Sequence, residues 1–83
     1  MTVGIVGLDV YVEKNETFRF VNLNVVDSVI THCNALLGLP KPIGFFNSQL
    51  VTVGNVADGE YPYSYTLAGH VIIEANPKII VGG

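Results

Sequence analysis

The chain has 83 residues, 49% hydrophobic and 13% charged, with a net charge of −3, which allows one small domain with a core and argues against disorder. Its four cations, Lys14, Arg19, Lys41 and Lys78, are scattered and form no phosphate-tracking stripe, so no nucleic-acid partner is expected. The longest apolar stretch, Val3 to Leu8, and shorter ones such as Val71 to Ile73 fall far short of the roughly 20 residues a membrane span needs, so no membrane partner is expected either.

Taken in order, Val6, Leu8, Val10 and Val12 alternate with Gly7, Asp9, Tyr11 and Glu13, the two-residue period of a half-buried strand. The polar run Glu13-Lys14-Asn15-Glu16 suits a hairpin turn. A second strand, antiparallel to the first, follows in the alternation of Arg19, Val21, Leu23 and Val25 with Phe18, Phe20, Asn22 and Asn24. Asp27 can cap a helix, and Val26, Ile30, Cys33 and Leu37 recur at spacings of three and four, which predicts one apolar helical stripe ending at Gly38 and Pro40.

Ile43 to Phe46, a turn at Asn47-Ser48 and a strand over Gln49 to Val53 read as a short second hairpin. Gly54 to Thr66 reads as an ordered loop with one helical turn, and His70 to Ala75 as the last strand, closed by Pro77. This order predicts an α+β fold of the β-grasp type, a mixed sheet of four to five strands with one helix packed on one face. It divides the chain into a β-grasp domain over residues 1–76 and an extended tail over 77–83 ending in Gly-Gly.

Thr66 to Glu74, the proline-bearing run Asn76 to Gly83, and Leu36-Leu37-Gly38-Leu39-Pro40 resemble segments of the small ubiquitin-like sulfur carriers. That family includes the small subunit of molybdopterin synthase, the thiazole-synthesis sulfur carrier and the archaeal small modifier proteins. Two positions depart from its pattern: His70 stands where aspartate is common, and Ser48 where a turn glycine is usual.

The resemblance implies a carrier, not an enzyme, whose Gly83 α-carboxylate is adenylated by a ubiquitin-activating-type partner and converted to a thiocarboxylate. The sulfur would serve molybdopterin, thiamin or tRNA-thiolation chemistry, with a sulfurtransferase or a synthase large subunit as further partner. No cofactor is expected on this chain; ATP and Mg belong to the partner. Gly82, Val81, Ile80 and Pro77 would form the arm that threads the partner's channel. The alternatives are a modifier conjugated to lysines through Gly83, and a structural or interaction domain that makes no use of its end.

Tyr11, Phe18 and Phe20 are placed by their alternation on the face away from the helix, a candidate partner surface. The thin charge leaves a homo-oligomer open. Cys33 reads as inert core, and His32 and His70 lack metal-ligand spacing, so no metal site is expected. The N-terminal residues lack the pattern of a signal peptide, which points to the cytoplasm.

Overall fold

The computed structural model describes residues 1–73 and 75–82, and over these the chain is all-β, with eleven strands and no helix. The β-grasp expectation is therefore overturned. One sheet has the order β1-β3-β7-β5, from Val3–Ile5, Thr17–Val21, Ser48–Val53 and Leu36–Leu37. A second has the order β10-β9-β4-β6, from His70–Val71, Ser64–Leu67, Ser28–His32 and Lys41–Ile43. The third, β2-β11-β8, joins Val10–Val12, Lys78–Val81 and Gly59–Pro62. β8 and β9 are interrupted only at Tyr63, so residues 59–67 tie the second and third sheets together, and all three enclose one hydrophobic core.

The expected helix is strand β4, followed by the two-residue strand β5. Val29, Ile30 and Thr31 are consecutive β-branched residues, which lose side-chain freedom in a helix and fit a pleated surface. The three-and-four spacing was met by coincidence: Ile30 and Cys33 are buried, but Leu37, on the same stripe, is exposed.

Pairing also departs from expectation. β1 runs parallel to β3, and β2 runs parallel to β11 in another sheet, so the polar run 13–16 connects sheets instead of closing a hairpin. The second hairpin likewise opens out, with β6 paired to β4 and β7 paired to β3 and β5. The expected loop 54–66 supplies most of β8 and β9. The only described strand in the 70–75 segment is His70–Val71, which pairs back on β9. That pairing closes a two-residue hairpin in which Ala68 (φ 49°) and Gly69 (φ 80°) both take left-handed backbone, the geometry that matches strand twist.

Phe18 and Phe20 are fully buried and tilted against each other at 5.2 Å, while Arg19 points outward. The face assignment of this strand is thus the reverse of the expected one. Register parity admits only two choices, and burying Arg19 without a partner costs far more than burying two phenyl rings gains. No helix among the described residues is long and apolar enough to cross a membrane.

Candidate functional site

Strand directions sort the loops into two poles. β3, β6 and β9 run toward one pole, while β2, β4, β7 and β11 start there and run away from it. The first pole gathers residues 6–9, 22–27, 44–47 and the 68–69 turn. The opposite pole gathers 13–16, 54–58 and Gly82.

The sequence-derived tail belongs to the body. Lys78–Val81 is the central strand of its sheet, with Ile79 and Val81 buried and Ile80 partly so, and Pro77 is buried behind it. Gly82 follows, its N–H donating to the Val12 carbonyl at 3.1 Å. Its φ of 147° favours glycine, and an added Cβ would lie 3.4 Å from Asp58 Cγ. Gly83 lies outside the described residues.

Two open depressions of about 420 and 340 Å³ flank Gly82, the first lined by Thr2, Tyr11, Val12, Glu13 and Glu16, the second by Glu13, Lys14 and Asp58. Glu16 accepts hydrogen bonds from the Thr2 hydroxyl and the Glu13 N–H, and these hold its carboxyl below the usual range. Of the three aromatics expected at a partner surface, Tyr11 is exposed here, whereas Phe18 and Phe20 are core. Among the described residues no group of three or more His, Cys, Asp or Glu gathers as a metal site.

The loop pole carries a different chemistry. Leu8, Leu23, Val25, Phe45 and Phe46 are 58–76% exposed, and the two phenyl rings meet edge to face at 6.3 Å. Apolar side chains held in water at loop tips need support from beneath, and here it is built from buried polar groups. Asn22 is fully buried, and its Nδ2 donates to the carbonyls of Val26 and Ile43 at 3.0 Å and of Gly44 at 3.3 Å. With two hydrogens for three acceptors, one is shared. Its Oδ1 accepts from the Asn24 N–H and Nδ2, each at 2.9 Å, and its own N–H donates to the Asn47 carbonyl.

Asp27 extends the network. Its Oδ1 accepts the Phe45 N–H at 3.1 Å, and its carbonyl accepts the Ala68 N–H at 2.9 Å. Tyr63, buried in the core, sends its hydroxyl to the remaining loop, where it accepts from the Gly7 N–H at 2.8 Å and donates to the Leu8 carbonyl at 2.7 Å. Burial pushes that phenol well above its ordinary pKa, so it stays a donor.

Sequence reasoning missed this pole. Asn22 fell within an apparent strand alternation and Phe45-Phe46 within a supposed hairpin. The available signal was the cluster Asn22-Leu23-Asn24-Val25-Val26-Asp27, whose three short polar side chains are loop formers, not strand formers. His32 and His70 are exposed, and Cys33 is buried with its thiol pushed up by desolvation. No family model, curated protein or solved structure matches the chain.

Proposed function

We propose that this chain is a protein-binding domain that docks an apolar partner surface through its loop pole. The observation that carries the reading is the buried Asn22 carboxamide, which fixes the loops bearing Leu23, Val25, Phe45 and Phe46 in one arrangement before any partner arrives. Preorganisation of this kind lowers the ordering cost of association. Exposed apolar clusters on loops held by a rigid sheet scaffold are a common form of recognition surface.

Site-specific photocrosslinking in the native cell tests it. A benzophenone side chain at position 46 or 25 should give discrete protein adducts, and one at position 55, on the opposite pole, should not. Equal adducts from both poles, or none from the loop pole, refute the reading.

Sulfur carriage through Gly83 is the rival proposal. With Ile79 and Val81 buried in β11, an activating enzyme would have to accept the last two residues alone or peel the strand from its sheet. Intact mass after incubation with an adenylating enzyme, ATP and a sulfur donor tests this directly, through exchange of one oxygen for sulfur at Gly83. Branched tryptic peptides would instead mark conjugation to lysines.

A further inference from the structure

We infer that the partner seated on the loop pole is a second copy of this chain, so that the domain is a two-fold dimer joined end to end through Leu8, Leu23, Val25, Phe45 and Phe46. The inference rests on the recognition reading above and adds the identity of the occupant.

Area is the first argument. At their observed exposures, these five residues present roughly 600 Å² per chain, taking ~200 Å² for a fully exposed aromatic or large aliphatic residue. That lies at the top of the range for the largest apolar patch on a typical monomer, about 300–600 Å². Two such faces pressed together would remove about 1,200 Å² from water, above the roughly 1,000 Å² that separates specific interfaces from incidental contacts. An isologous contact also covers both copies of this patch at once and closes on itself as a dimer.

Charge is the second. Loops 6–9, 22–27, 44–47 and 68–69 contain two charged residues, Asp9 and Asp27, and neither lysine nor arginine. Both carboxylates are already engaged by the chain's own backbone: Asp9 Oδ1 accepts the Lys78 N–H at 2.9 Å, and Asp27 Oδ1 the Phe45 N–H at 3.1 Å. The face thus offers little to a strongly charged partner. What complements it is another low-charge apolar surface of similar size, and the chain supplies one itself.

Sedimentation equilibrium of the full chain over a micromolar to millimolar series tests the inference. Twice the 8.9 kDa chain mass should be approached within the series. Val25→Arg and Phe46→Arg, both at exposed positions, should each raise the dimer dissociation constant at least tenfold, while Tyr11→Arg on the opposite pole leaves it unchanged. Circular dichroism and a urea midpoint confirm that each variant is folded.

A monomer throughout overturns the inference, and so does a dimer that Tyr11→Arg weakens as much as Phe46→Arg does. If the chain is monomeric yet position 46 crosslinks to a different protein in the cell, self-association fails and the recognition reading stands. If it is monomeric and gives no adduct, both fail.

Discussion

Replacing Asn22 by alanine should cost this domain about 3 kcal/mol, a large share of the roughly 4–12 kcal/mol a chain of this size commands. The side chain is fully buried, so none of its hydrogen bonds is a surface luxury. Truncation removes two N–H donors that serve three carbonyls and one oxygen that accepts from the backbone N–H and Nδ2 of Asn24. A net hydrogen bond contributes ~1 kcal/mol, and carbonyls left dry add a desolvation penalty of similar size. Asn24 is only partly buried and can turn to water, which trims the total. The assay is urea unfolding followed by far-UV circular dichroism, with Asn24→Ala as the comparison at about 1 kcal/mol or less. The Tm should fall by roughly 12–24 °C. A loss under 1 kcal/mol for Asn22→Ala would refute the view that this carboxamide holds the loop pole together.

Removing the Tyr63 hydroxyl with Tyr63→Phe leaves the Gly7 N–H and Leu8 carbonyl without that partner and should cost about 1.5–3 kcal/mol, measured in the same urea assay. The same phenol gives a pH prediction. Its folded pKa is raised, first by burial, so the folded state holds the proton more tightly than the unfolded chain, and the stabilisation is present below about pH 10 and lost as pH rises further. Ultraviolet titration should show one tyrosine resisting ionisation until the chain unfolds. Ala68→Gly should stabilise the domain by about 0.5–1 kcal/mol, since relief of a left-handed alanine outweighs the extra freedom of glycine in the unfolded chain, and calorimetry reads the rise in Tm. Cys33 should react with a disulfide reagent only slowly in the native protein and fully in denaturant, because burial both covers the thiol and disfavours its thiolate.

What the sequence displayed was local, and what it concealed was pairing. The alternations at Val10–Val12 and around Thr17–Val21, and the strand ending at Val53, were legible because each strand has one face on the core. Their partners were not, because β1 with β3 and β2 with β11 are parallel pairings between segments 16 and 69 residues apart in sequence, with nothing in the intervening composition to announce them. The β4 segment read as a helix since a stripe at spacings of three and four can arise in a strand that ends in a turn. Three consecutive β-branched residues were the better guide. In β3 the period was right and the sign was wrong: a two-residue period says which residues share a face but not which face is inward, and Arg19 should have decided it. The terminal residues 78–81 read as an arm because a proline precedes them, yet Ile79 and Val81 have the alternation of a core strand.

The two poles differ in how the chain holds them, and the difference bears on which one acts. At the pole of Gly82 the side-chain bonds include Thr2 to Glu16, the Glu13 N–H to Glu16 and the Tyr61 hydroxyl to the Ala57 carbonyl, at partly or fully exposed positions where water competes for the partners. At the loop pole, beside the exposed Asp27–Phe45 bond, most bonds come from a carboxamide with no exposure and a phenol that is almost completely buried, in surroundings of low dielectric where geometry is enforced. Burying polar groups in so small a core gives up apolar contacts that Leu or Phe would have made, and it is offset only if their hydrogen bonds are complete. A domain that needed nothing more than stability could close its loops with polar tips. This one places leucine, valine and phenylalanine on tips that buried polar groups hold still, which is the arrangement expected where a surface has to keep its shape in water until another surface covers it.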